Sequence, residues 1–178
     1  YRQHFALTHF PFDHTLTPSD LFGASAQSEA EVRLKHLLTL RGIGLLTGES
    51  GSGKTTLCRR WCESLHPGLH RVIYVPLTTG NVMDMYKSLA WEFGLPTERN
   101  RASAFRQLRA EVTRLLLEGK KLPVVIIDEA HRLPKESLEE IRLLSNIEQA
   151  HKKLINIFLS GQTILVNSTF TSSTNFLI

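Results

Sequence analysis

Cysteine is scarce in this 178-residue chain, which has two, Cys58 and Cys62. A spacing of four puts both on one helical face. A metal pair would need further ligands nearby, so they read as free thiols on a buried helix surface, as a reducing compartment allows. Long apolar runs are missing too. None approaches the ~20 residues needed to cross a bilayer, and the start Tyr1-Arg2-Gln3-His4-Phe5 has no basic region followed by an apolar core. Neither a membrane segment nor a signal peptide is therefore expected, and a cytoplasmic location is. There is no internal repeat, and the length suits one well-buried domain rather than two.

What is present alternates between two kinds of segment. Short apolar runs at 43–46, 71–76, 123–129 and 154–159 read as strands. Between them, helical periodicity covers 28–40, with Ser28 as candidate N-cap, then 55–65, 81–93, 102–118 and 134–150. This alternation predicts an α/β sandwich built on a mostly parallel sheet. The uninterrupted Val124-Val125-Ile126-Ile127 marks a strand buried on both faces.

Between the first strand and its helix lies Gly48-Glu49-Ser50-Gly51-Ser52-Gly53-Lys54-Thr55-Thr56, which satisfies every fixed position of the Gly-x-x-x-x-Gly-Lys-[Ser/Thr] phosphate-binding loop. Glycines let the backbone turn with its N–H groups facing phosphate, Lys54 reaches the β- and γ-phosphates, and the Thr55 hydroxyl ligates Mg²⁺. The dipole of the following helix favours the same anion. These nine residues are the candidate nucleotide site.

The buried strand runs into Asp128-Glu129, at the sheet edge where ligands collect in open parallel sheets. Asp128 is expected to hold Mg²⁺ together with Thr55, and Glu129, one residue on, to orient or deprotonate an attacking water. Gln162, in the polar tip Ser160-Gly161-Gln162, joins Lys54 and Glu129 as a catalytic candidate, since its position resembles the polar sensor of related ATPases that contacts the γ-phosphate or the water; a plain turn residue is the alternative. Asn156 sits inside an apolar run and is set aside. No Asn-Lys-x-Asp base-reading motif occurs, which favours ATP over GTP. A strand intervenes in sequence between the phosphate loop and the acidic strand. With Glu129 it resembles the additional-strand, catalytic-glutamate division of P-loop NTPases.

The formal charge is +4 and the pI about 9.3. Arg99, Arg101, Arg106, Arg109 and Arg114, then Lys120 and Lys121, outnumber Glu111 and Glu118 along one helix and its ends. Two readings stay open, a solvated helix face and a phosphate-contacting surface. On the second, Arg99, Arg101, Arg106, Arg109, Lys120 and Lys121 are the candidate nucleic-acid contacts.

Phe5-Ala6-Leu7 with Pro11-Phe12, Glu29-Ala30, the run 42–49, Ile127-Asp128-Glu129-Ala130-His131, Leu143-Leu144-Ser145-Asn146 and Ser160-Gly161-Gln162 together resemble the ExeA/GspA-type AAA+ ATPases. That group holds general-secretion ATPases and ATP-binding proteins of transposable elements similar to the TnsC/TniB-type regulators. The resemblance spans about residues 1–164. It implies a three-layer P-loop sandwich, ATP with Mg²⁺ as cofactors and assembly into a homo-oligomer. For the transposition members it implies double-stranded DNA and a transposase as partners.

It also implies that Phe10, Pro11 or Phe12 lines the adenine pocket, although aromatic packing on the domain explains them equally well. After Gln162 the chain departs from the pattern. A Ser/Thr/Asn-rich tail stands where the family continues to an arginine finger and a helical lid. The expected division is an arm packed on the core (1–22), an incomplete AAA+ core without the lid (23–166) and a non-native or disordered polar tail (167–178). The leading expectation is an ATPase that regulates transposition. A secretion-pathway ATPase and a non-hydrolysing, nucleotide-dependent binding module are the alternatives. Residues 128–131 also spell a helicase box, but 178 residues do not hold two motor domains, and His131 stays unassigned.

Overall fold

The computed structural model describes residues 4–6, 25–76 and 80–166 and, in its first helix, side chains from residue 28 onward. Phe10, Pro11, Phe12 and the tail 167–178 lie outside the described residues. The elements run α1 (Ser25–Leu40), β1 (Ile43–Thr47), α2 (Lys54–Ser64), β2 (His70–Val75), α3 (Val82–Phe93), α4 (Arg101–Leu117), β3 (Leu122–Ile127), a 3-10 turn (Ala130–Arg132), α5 (Lys135–Ser145), β4 (Glu148–Gln149), β5 (Lys152–Lys153) and β6 (Asn156–Gly161).

Four strands form one parallel sheet in the order β1-β6-β3-β2. Alternation along each strand sorts the core into two layers. Val124, Ile126 and Phe158 meet Leu34 of α1 and Leu57, Cys58 and Trp61 of α2, with Trp61 and Phe158 packed edge to face at 4.6 Å. Their neighbours Val125, Ile127, Ile157 and Leu159 face α3, α4 and α5 through residues such as Leu89, Leu108 and Ile141. The expected three-layer sandwich is thus present. The strand inserted between β1 and β3 is β6, the last in sequence, while β2 occupies the edge.

Local chemistry sets most boundaries. Asn81 and Asp84 form a reciprocal capping box on α3, and Gly94 closes it at φ 77°. Asn100 caps α4 by accepting from the Ser103 N–H at 2.9 Å. Three expectations need correction. Ser28 is not a cap, because α1 begins at Ser25; Ala26 and Gln27 favour helix and nothing there breaks it. The helix expected over 134–150 ends at Ser145. Ile147 continues its apolar period and is buried in the same core, but the chain there turns into the β4–β5 hairpin, whose tip residues Ala150 and His151 have φ of 50° and 61°. Strand β6 also starts and ends two residues later than the run 154–159, so Gln162 follows it directly.

Asn156 is structural: its Oδ1 accepts from the Gly42 N–H at 3.2 Å and its Nδ2 donates to the Leu38 carbonyl at 3.4 Å. The helical layer has its own polar tie. Glu140 of α5 is buried, accepts from the Tyr86 hydroxyl of α3 at 2.7 Å and pairs with Arg101 of α4. Burial, then Glu140, pushes the Tyr86 pKa up, so it stays a donor. Glu140→Ala strands the buried Tyr86 hydroxyl, while the exposed Arg101 turns to water, and chemical denaturation is expected to show a loss of about 2 kcal/mol.

Candidate nucleotide site

The C-terminal ends of the parallel strands converge. Thr47 of β1 lies opposite Gly161 of β6, and Ile127 of β3 opposite Leu159, so the phosphate loop, Asp128 and Gln162 leave the sheet at one edge. The loop passes into α2 at Gly53, whose φ of 84° is a left-handed conformation that L side chains rarely adopt. Lys54, only 8% exposed, donates to the Gly48 and Glu49 carbonyls at 2.9 and 2.7 Å, so its ammonium is held along the loop.

Thr55 and Asp128 meet across the sheet edge. The Thr55 hydroxyl donates to Asp128 Oδ2 at 2.7 Å, Tyr74 donates to the same oxygen at 2.8 Å, and the Glu129 N–H donates to Oδ1 at 2.9 Å. Burial alone would raise the Asp128 pKa. These donors outweigh it and hold the carboxyl below its usual range, ionised. The Ser160 hydroxyl lies close enough to act in the same direction, although its buried oxygen has no partner in hydrogen-bonding geometry among the described residues.

A hydroxyl and a carboxylate in contact are the oxygen donors Mg²⁺ takes when it keeps most of its water. The residues therefore fit that ion. Among the described residues no group of three or more His, Cys, Asp and Glu is placed to enclose a metal. Tyr74 was not legible as a site residue in the sequence. Its contact comes from the β2–β3 register, which sets it opposite Ile126, two residues before Asp128.

Glu129 sits at φ 53°, ψ 31° and caps the 3-10 turn, a backbone conformation costly for a residue with a side chain. Glu129 lines a cavity of about 270 Å³ with Gln162, Ser50, Gly51 and residues 53–56. All three catalytic candidates, Lys54, Glu129 and Gln162, thus share one cavity, while Asp128 stands behind Thr55. His131 lies beside two of them: its Nε2 is 3.7 Å from Glu129 Oε2, and its Nδ1 accepts from the Gln162 N–H at 3.3 Å.

The cationic candidates do not form one surface. Arg101 is committed to Glu140. Arg106 and Arg109 project from the exposed side of α4 into an open groove of about 630 Å³ against the β4–β5 hairpin, which also holds Glu118 and Glu148. Arg99 and Lys120 are exposed beyond opposite ends of α4, a helix about 25 Å long, and Lys121 beside Lys120 is half-buried. The cysteines are free, and burial pushes the Cys58 thiol up to about 12 and that of Cys62 to about 11.

Comparison with known proteins identifies the family and the fold. The family model described as "AAA domain" matches residues 37–167. General secretion pathway protein A of Aeromonas hydrophila is 34% identical over 165 residues, covering 91% of this chain and 30% of that protein. The chain therefore spans about a third of that relative's length. Among solved structures, the Aeropyrum pernix ORC2 protein in ADPNP-ADP complexes superposes with a TM-score of 0.65 at 20% identity, over 91% of this chain and 47% of that one. Cdc6p from Pyrobaculum aerophilum gives 0.60 at 20% identity, over 95% and 45%. The chain belongs to the AAA domain family and is similar, over most of its length, to general secretion pathway protein A.

Proposed function

We propose that the chain binds ATP at residues 48–56 and hydrolyses it with Mg²⁺ to ADP and phosphate. The observation that carries this reading is the opening of Lys54, Glu129 and Gln162 into one cavity at the end of the sheet. The loop N–H groups and the Lys54 ammonium bind and orient the phosphates. Glu129, which lines the cavity, accepts the proton of the attacking water. Gln162, in the same cavity, orients that water or the γ-phosphate. Thr55 and Asp128 would hold Mg²⁺, which when bound offsets phosphate charge. A cytoplasmic location goes with this reading, and no helix among the described residues is long and apolar enough to cross a membrane. Phosphate release from Mg-ATP, measured beside equilibrium ATP binding, tests it. Tight binding without release would leave a nucleotide-dependent binding module instead.

For the biological role, a homo-oligomer on duplex DNA that directs a transposase is the first reading, supported by the exposed Arg106 and Arg109. Replacing both with alanine is expected to weaken duplex binding across sequences and to reduce the salt slope by about two. Unchanged affinity would remove that surface from the interface. The match to general secretion pathway protein A favours the second reading, an ATPase of a secretion system. Turnover indifferent to DNA would support it.

A further inference from the structure

We propose that His131 is a positioning residue for Glu129, tying that carboxylate to the corner at the end of β6. The inference rests on the hydrolysis reading and extends it to a side chain with no role in phosphate or metal binding. Three consecutive residues make the corner. The Gly161 carbonyl accepts from the Gly48 N–H at 3.3 Å, the Gln162 N–H donates to His131 Nδ1 at 3.3 Å, and the Thr163 hydroxyl donates to Glu49 Oε1 at 3.4 Å. It is fastened to the phosphate loop on one side and to His131 on the other.

Because Nδ1 accepts, the neutral imidazole carries its proton on Nε2. That nitrogen faces Glu129 Oε2 at 3.7 Å, just beyond a direct hydrogen bond, so a small rotation of either side chain makes the contact. The imidazole is the packed partner, 13% exposed against 39% for the Glu129 side chain. Gly161 keeps it there: a Cβ at this position would lie 3.1 Å from the His131 backbone nitrogen and 3.2 Å from Nδ1, so the ring rests against glycine backbone. The corner that touches the phosphate loop thereby also sets the direction of the group that activates water.

The test uses the full chain. His131→Ala is expected to lower kcat about tenfold or more while ATP affinity stays within about twofold. His131→Gln, which keeps a donor near Nε2, recovers most of the loss, and His131→Asn, which keeps only the acceptor toward Gln162, recovers little. In a Glu129→Gln background, adding His131→Ala changes residual turnover by less than about twofold, because the carboxylate it positions is gone. Equal losses in both backgrounds, a parallel loss of ATP affinity, or unchanged kcat in His131→Ala would overturn the proposal.

Imidazole ¹⁵N NMR decides independently of turnover. The Nε2–H tautomer is expected, with shifts that move on Glu129→Gln. The Nδ1–H tautomer, or shifts indifferent to Glu129, would reject it. A chain with no turnover at all counts against the hydrolysis reading, and the NMR result then judges His131 alone.

Discussion

Lys54→Ala is expected to lower ATP affinity by about 100-fold or more, read by calorimetric or fluorescence titration with Mg-ATP. Each hydrogen bond from a charged group contributes about 1.5–3 kcal/mol, and the Lys54 ammonium has donors enough to replace two loop-carbonyl bonds with two to phosphate. The variant also leaves the negative charge of the triphosphate opposite backbone dipoles alone. The fold should persist, because the hydrophobic layers on both faces of the sheet do not depend on this side chain. An unaltered affinity in a folded variant would move the nucleotide elsewhere.

Glu129→Gln separates binding from chemistry. The amide is nearly isosteric, so the cavity shared with Lys54 and Gln162 keeps its shape, and the backbone at φ 53° meets the same steric demand. What changes is basicity. ATP is expected to bind within a few-fold of the parent while turnover falls about 10²- to 10⁴-fold, the usual contribution of a positioned general base. Loss of binding together with turnover would mean that Glu129 shapes the pocket rather than the reaction.

Contiguity explains which parts were legible before any coordinates. The phosphate loop is read from a single stretch because backbone N–H groups must curl around one anion, and Asp128-Glu129 is read because it caps an apolar run on the same strand. Tyr74 and Asp128 are 54 residues apart, and only the pairing of β2 with β3 brings them together. The His131–Gln162 bond spans 31 residues and needs β6 beside β3, a placement set by tertiary packing. The same reason split the cationic set. Arg101 belongs to a tie with Glu140 and Tyr86 that helical periodicity does not reveal, whereas Arg106 and Arg109 stay on the outward face. Periodicity overruns the end of α5 because Ile147 continues its apolar spacing into the core after the chain has already turned toward the hairpin.

The most direct test is phosphate release from Mg-ATP by the full chain, run beside Glu129→Gln under conditions where both are saturated with ATP. The account predicts release by the parent and its near-complete loss in the variant. Equal rates in the two proteins would contradict it.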